Sequence, residues 1–224
     1  MKKFIILFLS CALLFGCSNS KTYDMAKNNL AEVRYNLYSG KTDNISVTLM
    51  SGKREKDYVI NGFCSEAIPF GVLTFKINES ILLKGDVNFV LTVGTFRYDG
   101  VLEKNPFDGS YVYDLKNIID SSEVITAKII AGEFVDEVEL KSVTDSFNVN
   151  YDNALRIACK ELNDNLKSFI ENDEFKGECY VKLICDDDVT GLYYWYVNFV
   201  SRNGKNYCVI IDPISNEIMA KKNI

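Results

Sequence analysis

The stretch YYWYVNFVSRNGKNYCVIIDPISNEIMAKK, residues 193–222, decides the fold of the last third of the chain. It alternates. Tyr193, Trp195, Val197 and Phe199 fall on one side of an extended chain and Tyr194, Tyr196 and Asn198 on the other, because successive side chains of a strand point to opposite faces. Asn203-Gly204 is the favoured signal of a two-residue hairpin turn and predicts strands at 192–202 and 205–212. Asp212-Pro213 and Asn216 mark the next turn: proline presets φ, and asparagine tolerates the left-handed region. A short strand at 217–221 follows, and 178–185 reads as the first strand of the same antiparallel sheet.

Upstream, YDNALRIACKELNDNLKSFIEN (151–172) has helical spacing. Leu155, Cys159, Leu162, Leu166, Phe169 and Ile170 form one stripe, and Asn150 or Asp152 is placed to cap the start. Such a stripe needs a sheet face to bury it. The Trp195/Val197/Phe199 side is the more apolar and is expected to receive the helix. The Tyr194/Tyr196 side is amphipathic. It reads either as a solvent-facing row of paired tyrosines or as a partner surface, since tyrosine is enriched at interfaces.

A helix followed by antiparallel strands, with WYVNF at 195–199, the strand GKNYCVIID at 204–212 and the Asp-Pro turn leading to Glu217-Ile218, resembles the PepSY domain. The resemblance covers roughly 149–222. Asn216 stands where that family usually has glycine. The resemblance implies a small α+β module at 146–224 and a role in restraining, inhibiting or helping to fold peptidases outside the cytoplasm, without catalytic residues of its own.

Residues 28–145 read as mainly β. Strands are expected at 31–38, 45–50, 57–60, 69–77, 87–98, 111–114, 124–131 and 134–141. The run 87–98 places Val87, Phe89, Leu91 and Val93 on one face. Turn signals recur at Ser39-Gly40, Ser51-Gly52, Asn61-Gly62, Asp99-Gly100 and Asp108-Gly109. This spacing predicts a β-sandwich, taken as immunoglobulin-like although the Cys-Trp-Cys pattern of antibody domains is absent. The charged run 52–57 reads as a solvated loop. The overall class is therefore mainly β with an α+β end.

The N-terminus MKKFIILFLSCALLFGC places two lysines before a twelve-residue apolar run, 4–15, too short to span a bilayer as a helix and typical of an export leader. Leu14-Phe15-Gly16-Cys17 resembles the bacterial lipobox. It implies cleavage before Cys17 and a diacylglycerol on that cysteine, whose two acyl chains suffice for stable anchoring. An uncleaved or ordinarily cleaved leader with a chance cysteine is the other reading. Residues 1–17 are taken as the leader ending at the lipidated Cys17, and the polar residues 18–27 as a tether. These features predict a lipoprotein on the outer face of the cytoplasmic membrane, and the Lys, Asn and Ile richness hints at a Gram-positive source.

The chain has no histidine and a net charge of −6. The first removes the commonest general base and zinc ligand. The second, without any basic stripe, argues against nucleic acid as a partner. Cys64, Cys159, Cys179, Cys185 and Cys208 remain after the leader and Cys17 are set aside; without a C-x-x-C pair they read as small buried side chains, with a cross-strand disulfide at Cys208 as the alternative. Asp186-Asp187-Asp188 lacks the spacing of a calcium loop. No catalytic, cofactor or metal site is expected. The function expected is a non-enzymatic envelope lipoprotein that binds a protein partner, a peptidase or another envelope protein. The alternative is a surface ligand- or glycan-binding protein that uses the β-sandwich.

Overall fold

The structure is a computed structural model, and it describes residues 17–57, 59–186 and 191–223. The order is helix α1 (Cys17–Lys27), strands β1 (Leu30–Lys41), β2 (Ile45–Glu55), β3 (Ala67–Ile77), β4 (Asn88–Val93), β5 (Phe96–Val101), β6 (Glu103–Lys104), β7 (Tyr111–Leu115), β8 (Ile125–Ala131) and β9 (Phe134–Ser142), then helices α2 (Tyr151–Glu161) and α3 (Asn163–Leu166). Strands β10 (Ile170–Glu171), β11 (Glu174–Phe175), β12 (Gly177–Asp186), β13 (Leu192–Ser201), β14 (Asn206–Ile211) and β15 (Ile218–Asn223) complete it. The protein is mainly β, as its composition of alternating runs predicts.

Two compact units emerge. One takes the chain up to Val33, Arg54–Ala67 and Asn148–Ile224, and the other takes Arg34–Lys53 and Ile68–Phe147. This differs from a simple division at 145/146. Leu30–Val33 belong with the C-terminal residues because they pair in parallel with Cys179–Val181. Residues 54–67 leave the strands on either side of them and pack in the same unit.

In the inserted unit, β4 pairs with β5 and β8, and β8 with β9; β2 lies between β1 and β3, with β7 and β6 beyond. The inward residues of these strands, among them Val47, Leu49, Leu73, Phe75, Phe89, Leu91, Ile125 and Ile129, form one core. Fully burying one such side chain is worth about 1.5–3 kcal/mol. The expected face of Val87, Phe89, Leu91 and Val93 is buried throughout. The single strand expected at 87–98 is a hairpin instead, reversed at Gly94, whose φ of 54° suits glycine. No strand forms at the described residues of 57–60, while β2 continues to Glu55, so the run 52–57 is in part a strand rather than a solvated loop.

In the helix-bearing unit, β15, β14, β13 and β12 follow one another as antiparallel neighbours, with the start of β1 added in parallel at the β12 edge. Asn150 caps α2 by accepting from the Asn153 N–H at 2.9 Å. The helix expected over 151–172 stops at Glu161. Asn163, Asp164 and Asn165, poor formers of helix interiors, follow in the short α3 and a 3₁₀ turn. Asn172 and Asp173 then take positive φ in the tight β10–β11 hairpin, as such turns require.

The β13–β14 turn is one residue longer than expected. Ser201 N–H donates to the Lys205 carbonyl, leaving Arg202, Asn203 and Gly204 as a three-residue loop with Gly204 at φ 82°. Asn216 does take the left-handed conformation, φ 66°. Asp212 accepts the N–H groups of Ile214 and Ser215 and holds that turn.

Residues 18–27, expected as a tether, are helical. Tyr23 and Ala26 are buried. The Tyr23 hydroxyl donates to Asp152 at 2.5 Å, Lys27 pairs with Asp152 at 2.6 Å, and the Arg156 guanidinium lies 3.9 Å from the Tyr23 ring centre. Burial pushes the Asp152 carboxyl up, but the hydrogen bonds from Lys27 and Tyr23 outweigh it and hold the group below the usual range. A polar helix whose buried residues are Thr22, Tyr23 and Ala26 carries little periodic signal, so composition alone reads as a tether.

Candidate functional site

The two faces of the β12–β15 sheet are built from alternate residues. On the helix side, Trp195, Val197, Phe199, Val209 and Ile211 are buried where α2 packs on β12, β13 and β14, and Leu155, Cys159, Leu162 and Leu166 are buried as well. Trp195 Nε1 donates to the Val149 carbonyl at 2.7 Å, so the indole is buried with its polar atom satisfied. This is the face expected to receive the helix.

The second face carries Tyr194, Tyr196, Asn198 and Val200 of β13, flanked by Ile184, Lys182, Tyr180 and Glu178 of β12 and by Ile210, Cys208 and Asn206 of β14. Its two ends differ. Tyr194 and Tyr196 are half-buried at the open end, whereas Glu178, Tyr180, Asn198 and Val200 are buried. Burial, then the Cys208 thiol, pushes the Tyr196 phenol above its ordinary value. Lys182 pairs with Glu32 at 2.7 Å. Strand alternation thus separates Tyr194 and Tyr196 from the core, as the sequence predicts.

Residues 59–66 attach to the buried end. Cys64 packs on Ala31, Tyr180 and Val200. Gly62, at φ 77°, lies so close to the backbone of Ser201 and Arg202 that a Cβ would sit 2.5 Å from the Arg202 nitrogen. The Phe63 ring stacks against the Arg202 guanidinium at 4.1 Å. Two carboxyls hold the segment from beneath. Glu55, 2% exposed, accepts the Ser65 N–H. Glu178, 0% exposed, faces the Gly62 and Asn61 N–H groups. Its oxygens have no hydrogen bond of full geometry among the described residues.

Burial pushes the Glu178 carboxyl up, and the Glu55 charge adds to this, against the N–H groups and the Tyr180 hydroxyl that favour the ionised form. Burial, with Glu55 and Glu178 beside it, raises the Cys64 thiol to about 12. A thiol so high is a poor nucleophile at neutral pH. The sequence signal for this arrangement is faint: glutamates scattered along a chain read as surface.

No disulfide joins Cys64, Cys159, Cys179, Cys185 or Cys208. Burial alone raises Cys159 to about 12 and Cys179 well above its ordinary value. Cys208 lies opposite Asn198 and Lys222 rather than another cysteine. Residues 1–16 of the expected leader lie outside the described residues; Cys17 is the first residue of α1. Asp187 and Asp188 lie outside them too, while the N–H of Gly191, at φ 64°, donates to the Asp186 carbonyl. Among the described residues no group of three or more Cys, Asp or Glu is disposed to hold a metal ion, and no helix is long and apolar enough to cross a membrane.

The inserted unit carries an open groove of about 580 Å³ lined by Lys76, Asn78, Glu79, Leu82, Lys104 and Tyr111, among others. No family model, curated protein or solved structure matches the chain.

Proposed function

We propose that the protein is a non-enzymatic lipoprotein of the bacterial cell envelope that binds a protein partner through the open end of the second sheet face, around Tyr194 and Tyr196. One observation carries this reading. The sheet is sealed on one face by a helix and on the other only at one end, which leaves two half-buried tyrosines beside Ile184, 36% exposed. Tyrosines in such a setting supply large contact area at low entropic cost. The PepSY resemblance names the partner class, a peptidase or another envelope protein, held by occlusion without a covalent step.

In this reading the inserted unit is an immunoglobulin-like β-sandwich. The anchor is a diacylglycerol on Cys17, on the outer face of the cytoplasmic membrane.

The test immobilises the chain and a Tyr194→Ala/Tyr196→Ala variant, each checked for folding, and exposes both to the envelope and secreted proteins of the source. A protein retained by the wild type and lost by the variant is the expected result. Equal retention would sink the sheet-face reading. The groove beside Tyr111 favours a second reading, recognition of a glycan or other surface ligand by the inserted unit, since aromatic and polar side chains line it together. Retention of wall polysaccharide that is sensitive to Tyr111→Ala would support that one.

A further inference from the structure

Residues 59–66 have no helix or strand of their own. What holds them is a backbone contact at Gly62, the Cys64 side chain, and the two carboxyls below. Outward they present Val59, Ile60 and Phe63, each more than half exposed, on the wrong side for a finished core. The face beneath is unfinished as well. Its buried apolar cluster is only Ala31, Tyr180 and Val200. On the same face, the Oδ1 atoms of Asn198 and Asn206 have no hydrogen-bond partner among the described residues. Closing such a segment over such a face gains little.

We propose that residues 59–66 are a displaceable strap over the covered end of the second sheet face, closed while the Glu178 carboxyl is protonated and released as it ionises. The proposal rests on the partner-face reading above. Release uncovers Tyr180 and Val200, which continue the surface that carries Tyr196 and Tyr194.

The groups facing Glu178 fix the sign. Glu55 comes from the end of β2, Cys64 from the strap and Tyr180 from β12. Lys182 and Glu32 neutralise each other as an ion pair, and Arg202 is stacked on Phe63. The charge that acts on Glu178 is therefore the Glu55 carboxylate. Closure removes water from Glu178 and holds it beside Glu55; these effects outweigh the Gly62 and Asn61 N–H groups of the strap, which favour the ionised form, and leave the carboxyl raised. The closed state binds the proton more tightly than the open one. Its advantage is full at acid pH and is lost as pH rises through the raised pKa.

Amide exchange tests this on the chain without any partner. Protection of Asn61, Gly62 and Ser65, corrected for intrinsic rates, is followed from about pH 5 to about pH 8. One proton released per opening lowers protection by up to about tenfold per pH unit. Glu178→Gln stays neutral and keeps an acceptor oxygen, so its protection is expected to be high and flat. Fluorescence of bound anilinonaphthalene sulfonate, a probe of apolar surface, rises with pH in the wild type alone. Wild-type protection that ignores pH, or the same fall in Glu178→Gln, overturns the strap. If Glu178→Gln does not fold, Glu55→Gln must shrink the total fall, and an unchanged fall overturns it equally. Dye binding that stays constant while protection falls overturns the uncovering. None of these readouts involves Tyr194 or Tyr196, so failure of the strap and failure of the partner face are distinguishable.

Discussion

The two faces of the β12–β15 sheet come from alternate residues of the same strands, yet they are covered in different ways. A helix with a continuous apolar stripe covers one. Trp195, Val197 and Phe199 are buried on the side where α2 packs on β13, and the single indole N–H is satisfied by Val149. A strap held by buried carboxyls covers part of the other, over Tyr180, Val200, Glu178 and Asn198. Both burials hide side chains from water. Only the first hides them against a matched apolar surface, and only that kind of burial approaches the full hydrophobic gain.

Truncation on the helix face sharpens the contrast most. Trp195→Ala removes a fully buried indole and leaves a cavity under α2, at a cost of about 3–5 kcal/mol. A urea melt reads this directly, and a loss below about 1 kcal/mol would erase the distinction between the faces. On the strap face Gly62→Ala is the sharper blow. It forces a Cβ into the Arg202 backbone at a positive φ and costs the closed strap about 1–3 kcal/mol. That loss is local, so amide protection at 59–66 falls while the urea midpoint hardly moves; a large shift of the midpoint would make the strap part of the core. The smallest effect is expected where α1 meets α2. Asp152→Asn weakens the Lys27 and Tyr23 contacts by at most about 1 kcal/mol, and high salt removes most of the difference. A salt-independent loss would mean that packing of Tyr23, rather than charge, seats α1.

Much of this was legible because it is periodic. Alternation at 193–200 separates Trp195 from Tyr194 and Tyr196, and the 3.6-residue stripe at 155–166 finds the helix to which Trp195 belongs. Asn216 is legible because few residues accept its backbone angles. What escaped is aperiodic or distant. The parallel pairing of Leu30 with Cys179 leaves no trace in either local sequence. Glu55 and Glu178 read as surface because nothing near them in the chain reveals that 59–66 folds over both. The extra residue in the β13–β14 loop hinges on whether Ser201 or Arg202 closes it, a choice that Asn203-Gly204 leaves open.

The split of β1 also bears on the order in which the molecule is completed. The inserted unit gathers its strands from 34–147 and includes neighbouring hairpins such as β4–β5 and β8–β9, contacts that form early because little chain must be closed. Leu30–Val33 and α1 are made first and finished last, since their partners are β12 and α2. In the interval the start of the chain is a nascent segment without its docking site, exposed to proteases and chaperones while the middle is already folded. A chain stopped before β12 would therefore keep the inserted unit and lose the N-terminus to digestion, even though no residue of the N-terminus had been changed.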